Sequence, residues 1–274
     1  MEKRKIADRK IFPIGLGAMA LDEYRPKASE KEGIELLKHA VKFVDLFDTA
    51  DVYGLGRNEE IIGKALNENE KNKILIATKA GCTRPGGIGW GTDGRPEHIK
   101  EAIEKSLARL GLKKIELYQL HAPDSKVPLK ETIMAFKELQ ENGLIKHFGV
   151  SNFNLIELKE AQKIIDIVSV QNHFNITHKY DEKELLPYLT ENNIAYLCYF
   201  PLGSGRLLDN QRVIEIANKF NIKTSQLLLA WIINKWPTAI PIPGTKNKEH
   251  LEENIKAGEI ELPDKIIKEL DNLY

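Results

Sequence analysis

IELYQLHAPDSKVPLKETIMAFKELQENGLIKHFGVSNFNLIELKEAQKIIDIVSVQN, residues 115–172, holds the pattern that decides the fold. Three apolar runs, 115–121, 145–152 and 166–172, do not alternate cleanly with polar residues. Such runs suit parallel strands covered on both faces by helices. Between them, 129–141 and 153–164 read as helices, the first closed by Asn142-Gly143. Working outward, the same kind of run recurs upstream at 12–17, 43–50 and 73–80, and downstream at 193–201 and 238–244. Ile34, Leu37 and Val41 share a helix face, as do Ile99, Ile103, Leu107 and Leu110. Glu59–Leu66 reads as another helix, and further helices fit 181–192, 209–220, 224–236, 247–257 and 263–273. Eight strand–helix units in one series predict an α/β fold, a (β/α)8 TIM barrel filling 1–274 as a single domain. The alternative is a doubly wound open sheet. No Pro/Gly/Ser linker divides the chain, and the units share no fixed-period repeat. Residues 3–10 are expected to form a small hairpin closing the barrel bottom.

Composition narrows the function classes. The 274 residues carry 40 basic and 40 acidic side chains, a formal net charge of zero. That balance argues against nucleic acid or an anionic membrane as partner, while leaving room for a local basic pocket. Cys82 and Cys198 are the only cysteines, so there is no disulfide framework and no CxxC spacing. MEKRKIADRK is too charged for a signal peptide, and no run approaches the ~18 apolar residues of a membrane span. The expectation is a cytoplasmic protein, monomeric by default.

In a barrel, chemistry gathers at the C-terminal ends of the strands. Here the second strand ends in Asp48, with Tyr53 five residues on; the third ends in Lys79 and the fourth in His121. Taken singly, these are a helix cap, a loop tyrosine, a solvated lysine and a structural histidine. At neighbouring strand ends they form a proton-delivery set. A phenol has an ordinary pKa near 10. A nearby ammonium favours the phenolate, and a carboxylate keeps the ammonium charged and in place. The tyrosine then donates a proton near neutral pH, while the histidine hydrogen-bonds and orients a carbonyl oxygen. Later strands end in Ser151 and Asn152, in Gln171 and Asn172, in Tyr199, and in Gly244-Thr245-Lys246. Amides offer a donor and an acceptor to a carboxamide, a tyrosine face supports a flat ring, and a helix N-terminus favours phosphate.

FDTADVYGLGRNEEIIGKAL, ATK, YQLHAPD, FGVSNF, VQN, YFPLGSG and PIPGTKNKEHLEEN, in that order over residues 11 to 257, resemble the successive signatures of the aldo-keto reductase family. The resemblance implies a (β/α)8 barrel that reduces aldehydes and ketones with NADPH. It implies Tyr53 as general acid, Asp48 and Lys79 as its tuning pair, and His121 as the group that orients the carbonyl. Ser151, Asn152 and Gln171 match positions that hold the nicotinamide carboxamide, and Tyr199 matches the aromatic under the nicotinamide ring. Leu202, Gly203 and Ser204 match the pyrophosphate loop. Thr245 and Lys246 match the segment facing the adenosine 2′-phosphate, and Glu253 and Asn254 match adenine contacts. Two positions depart from the pattern: Phe200 stands where many relatives have serine, and His250 where many have the arginine that meets the 2′-phosphate. The preference for NADPH therefore rests on Lys246, with Lys248 nearby, and NADH is an allowed cofactor. The chain ends at Tyr274, so the pocket is expected to be open or closed by another loop.

That loop is expected at 81–95, GCTRPGGIGWGTDGR, with six glycines and Trp90 as a substrate contact over the mouth. The plainer reading is a surface excursion. Gly15-Leu16-Gly17-Ala18-Met19-Ala20 fits the G-x-G-x-x-A dinucleotide fingerprint. No helix is expected to open there, because the next residues, LDEYRPKAS, include Pro26. The seven histidines show no metal-hydrolase spacing, so no metal is expected. A carbonyl reductase acting on a small molecule is the leading reading. The second is a nucleotide-binding sensor or regulatory subunit of the same fold with little turnover.

Overall fold

The computed structural model describes residues 2–22, 27–87 and 89–274. Eight parallel strands follow one another around a sheet: β1 (Leu16–Gly17), β2 (Leu46–Asp48), β3 (Leu75–Ala80), β4 (Ile115–Leu120), β5 (Ile145–Ser151), β6 (Ile167–His173), β7 (Ala195–Tyr199) and β8 (Ala239–Pro241). Each pairs with the next in sequence. The sheet closes where Gly15 N–H donates to the Pro241 carbonyl at 3.0 Å and Gly17 N–H to the Pro243 carbonyl at 3.2 Å. The expected (β/α)8 barrel is therefore the observed fold. The seam also explains the fingerprint-like glycines. A Cβ on Gly17 would stand 2.6 Å from the Ile242 carbonyl oxygen, so the strands can meet here only without a side chain. After β1 the chain enters a short 3-10 turn, Ala18–Leu21, and not a phosphate-binding helix. Pro26 lies outside the described residues.

The barrel interior is apolar: Leu46, Leu75, Leu117, Leu197 and Ile240 pack with Ile6 and Ile11. Those two isoleucines come from the expected hairpin, Arg4–Ile6 paired with Arg9–Ile11, which plugs the bottom of the barrel. Around the strands run α1 (Glu30–Ala40), α2 (Arg57–Ala65), α3 (Pro96–Leu110), α4 (Leu129–Glu141), α5 (Leu155–Gln162), α6 (Leu185–Glu191), α7 (Thr224–Lys235) and α8 (Lys248–Lys256). Further helices, Gln211–Lys219 and Asp264–Asp271, complete the shell. α7 is apolar nearly all round, as a helix must be when other helices cover it on both sides.

Several elements are shorter than their apolar runs. In 43–50, Val44 N–H still bonds the Ala40 carbonyl, so the first residues finish the turn after α1. In 238–244, Pro241 and Pro243 lack an N–H and contribute only carbonyls to the ladder. The 181–192 stretch splits into a 3-10 turn, Tyr180–Glu182, and α6. A short helix at Glu68–Lys73 buries no residue and so carries no apolar pattern; a capping box between Asn67 and Glu70 is its mark. The 81–95 segment is not structureless. Cys82–Thr83 pairs antiparallel with Gly91–Thr92, making a small hairpin; Ile88 lies outside the described residues. Its root is fixed where Asp93 N–H meets the Gly81 carbonyl at 2.9 Å and Thr132 Oγ1 donates to the Gly94 carbonyl at 2.7 Å.

Candidate active site

The strands deliver the four expected residues to one end of the barrel. Asp48 is the last residue of β2 and lies 3% exposed. Lys79, on β3, is fully buried. Its Nζ donates to Asp48 Oδ1 at 2.7 Å and to the Thr49 carbonyl at 2.8 Å, and lies 5.2 Å from the centre of the Tyr53 ring. A buried ammonium is tolerable only with such partners. Tyr53 stands edge-on to His121, with ring centres 5.7 Å apart and planes at 84°.

His121 follows β4. Burial pushes its pKa well down, and the charges of Lys79 and Arg84 push the same way, so the ring is neutral. Its Nδ1 is buried without a hydrogen-bond partner. An orphan lone pair costs less than an orphan N–H, which assigns the proton to Nε2. The neutral ring can then donate one hydrogen bond into the cavity.

Four residues expected to hold the cofactor form a chain of hydrogen bonds that ends on the same carboxylate. Tyr199 OH donates to Asn152 Oδ1 at 2.7 Å. Asn152 Nδ2 reaches Ser151 Oγ at 3.2 Å and the His121 carbonyl at 2.9 Å. Ser151 Oγ donates to the Gln171 carbonyl at 2.8 Å, and Gln171 Nε2 donates to Asp48 Oδ2 at 2.7 Å. Asn152 makes these contacts from a left-handed backbone (φ 61°), which asparagine tolerates better than most residues. Behind Tyr199 lies His173, nearly parallel at 15° with ring centres 5.5 Å apart. The tyrosine ring is thus supported as a platform.

A cavity of about 870 Å³ opens onto these groups. Asp48, Tyr53, His121 and Trp90 line it, and so do Thr245, Lys246, Glu253 and Asn254. Ser151, Asn152, Gln171, Tyr199, Leu202 and Ser204 line it as well. Gly203 and Lys79 are not on its wall. Lys79 lies behind it, against Asp48 and the Tyr53 ring. Trp90 leans edge-on over His121 with ring centres 6.1 Å apart, and the Arg84 guanidinium sits 3.5 Å over its ring. Sequence reasoning missed Arg84 and Gln119; the Gln119 amide, one residue short of the end of β4, approaches Asp48 at 3.5 Å. It also left out Gly17, Met19 and Ala20, which line the cavity beside the seam. Among the described residues there is no cluster of metal-ligating side chains and no helix long and apolar enough to cross a membrane.

A family model described as the aldo/keto reductase family matches residues 13–274. The chain belongs to the aldo/keto reductase family. It is an NAD(P)H-dependent oxidoreductase. An uncharacterized oxidoreductase of Schizosaccharomyces pombe is 35% identical over 272 residues, covering 97% of this chain and 88% of that one. A solved thermostable aldo-keto reductase in complex with the inhibitor epalrestat superposes with a TM-score of 0.87 at 32% identity, each chain fully covered. An aldo/keto reductase of Klebsiella pneumoniae, solved with NADP and acetate, gives 0.85 at 27% identity, covering 100% of this chain and 95% of that one.

Proposed function

We propose that this aldo/keto reductase reduces an aldehyde or ketone to an alcohol with NADPH, and that Tyr53 is the proton donor. The observation that carries the reading is the junction at Asp48: one carboxylate holds the Lys79 ammonium beneath Tyr53 and also anchors Gln171. The relative solved with NADP supports the cofactor. So does the cavity, whose volume falls in the range of ligand sites, roughly 300–1,000 Å³.

The residues present fit such a cofactor. Tyr199 offers a braced flat face for a nicotinamide. Gln171 commits its Nε2 to Asp48, which leaves Oε1 to accept from a carboxamide N–H. The first turn of α8 and Lys246 suit phosphate. There Asn247 caps the helix, accepting from Glu249 N–H at 2.7 Å. Glu253 and Asn254, both about a turn and a half along the helix, suit an adenine edge.

The chemistry the cofactor supplies when bound is hydride donation to the carbonyl carbon. The protein does the rest. His121 Nε2–H hydrogen-bonds the carbonyl oxygen and orients it. Tyr53 OH gives its proton to that oxygen as negative charge develops there. Lys79 favours the phenolate left behind, and Asp48 keeps Lys79 charged. Trp90 shields the mouth from water and offers an apolar face to the substrate. The test is a panel of aldehydes assayed by loss of NADPH absorbance. Turnover of at least one is expected; tight NADPH binding with no turnover across the panel would favour the sensor reading instead.

A further inference from the structure

The turn that carries Tyr53 is strained. In Tyr53–Gly56, three successive residues are left-handed: Gly54 at φ 57°, Leu55 at 56° and Gly56 at 95°. Leucine pays a steric penalty in that region, and Leu55 is 68% exposed, so burial does not compensate. Gly56 offers α2 no side-chain cap. Something outside the turn must hold it.

Two ion pairs flank it. On one side Asp22, only 3% exposed, lies so close that a Cβ on Gly54 would stand 2.7 Å from its carboxyl carbon. Asp22 Oδ1 accepts from Arg57 Nη1 at 2.8 Å, and Oδ2 from Lys27 Nζ at 2.6 Å. Arg57 is the residue right after the turn, and its Nη2 also reaches the Ala28 carbonyl at 2.8 Å. On the other side the Arg109 side chain backs Gly56, where a Cβ would meet its Cδ at 2.8 Å. Arg109 Nε is in turn held by Glu59 at 2.7 Å. The turn is gripped between the segment after β1 and α3.

We propose that Asp22 is a positioning residue for the reduction: with Arg57 it clamps the left-handed turn and so aims the Tyr53 hydroxyl. This rests on the reading of Tyr53 as proton donor. Asp22 does not line the cavity, so its effect reaches the reaction through the turn. A displacement of about 1 Å at a reacting group costs up to ~10²-fold in rate.

The test compares Asp22→Asn, Tyr53→Phe and their double variant, with folding followed by circular dichroism and NADPH affinity by fluorescence. Asp22→Asn should lower kcat about 10- to 100-fold and leave the NADPH Kd and the fold nearly unchanged. In the double variant the Asp22 effect should vanish, since the group it aims is already gone. Adding Leu55→Gly to Asp22→Asn should restore part of kcat, because glycine adopts the turn without strain. Should Asp22→Asn fail to fold, Arg57→Lys, which keeps the charge but loses the forked contact, should show the same kcat loss in milder form. Wild-type kcat in these variants, or an Asp22 effect that multiplies undiminished in the double variant, would overturn the proposal. Full activity in Tyr53→Phe alone would instead overturn the reading of Tyr53, and is read separately.

Discussion

Replacing Lys79 by methionine removes one charge and little volume. The ammonium is buried, is bonded to Asp48 Oδ1 at 2.7 Å and lies 5.2 Å from the Tyr53 ring centre. A unit charge at that distance stabilises a phenolate by about 3 kcal/mol at an effective dielectric constant near 20. Each 1.36 kcal/mol is about a factor of ten, so full expression in the transition state is worth about 10²-fold. Proton transfer is only partly complete there, so kcat of Lys79→Met should fall about 10- to 100-fold. Methionine leaves the buried Asp48 carboxylate without its cation, bonded still to the Gln171 amide at 2.7 Å, so the variant should also melt at a lower temperature. The NADPH Kd should hardly move, because Lys79 is not on the cavity wall. Steady-state kinetics with one aldehyde, NADPH fluorescence titration and circular dichroism read all three quantities. A folded Lys79→Met enzyme with kcat within about twofold of wild type would refute the tuning argument.

Lys246→Ala should weaken NADPH by about 10- to 150-fold, the worth of one charge-assisted phosphate contact, and leave NADH unchanged; titration of both cofactors checks this, and equal loss would mean Lys246 does not read the 2′-phosphate. Trp90→Ala should raise KM for bulky aldehydes by roughly 5- to 10-fold, as loss of an aromatic contact implies, with NADPH affinity preserved; unaltered kinetics across several aldehydes would reduce the hairpin to a surface feature. Asp51 supplies a pH prediction. Burial, with Glu59 adding to it, pushes its carboxyl up to about 8, and its Oδ1 has no hydrogen-bond partner. The unfolded carboxyl ionises near 3.9, so this group favours the fold below that pH and loses its contribution as pH rises toward about 8. At about 1.4 kcal/mol per unit the loss reaches several kcal/mol. Thermal melts should fall between pH 5 and 8 in the wild type and fall less in Asp51→Asn; parallel melts would contradict the assignment.

The barrel and the cluster of ionisable groups at its mouth were legible because both follow strand ends. A run of apolar residues marks each strand, and the residue that ends it must emerge on one face. Asp48, Lys79 and His121 could be read in this way. The hairpin expected over 3–10 lies one residue further on, Arg4–Ile6 against Arg9–Ile11. What the sequence hides is pairing at a distance. Gly15 and Gly17 look like a phosphate loop locally, yet their work is to let β1 meet β8 more than two hundred residues away. Cys82 and Thr92 pair across a seven-residue glycine-rich stretch, 84–90, too long for the two-residue turn that Gly86-Gly87 signals. Gln119, one residue short of the end of β4, looks like any strand residue until β2 brings Asp48 beside it. The Asp22–Arg57 pair joins residues 35 apart, and no periodicity connects them.

The central claim is that Tyr53 delivers the proton. Tyr53→Phe keeps the ring against His121 and removes only the hydroxyl. Its kcat for a reactive aldehyde should fall by at least about 10²-fold, the usual worth of a positioned general acid, with NADPH affinity intact. Retention of most wild-type turnover in that variant would mean that another group, or water, supplies the proton.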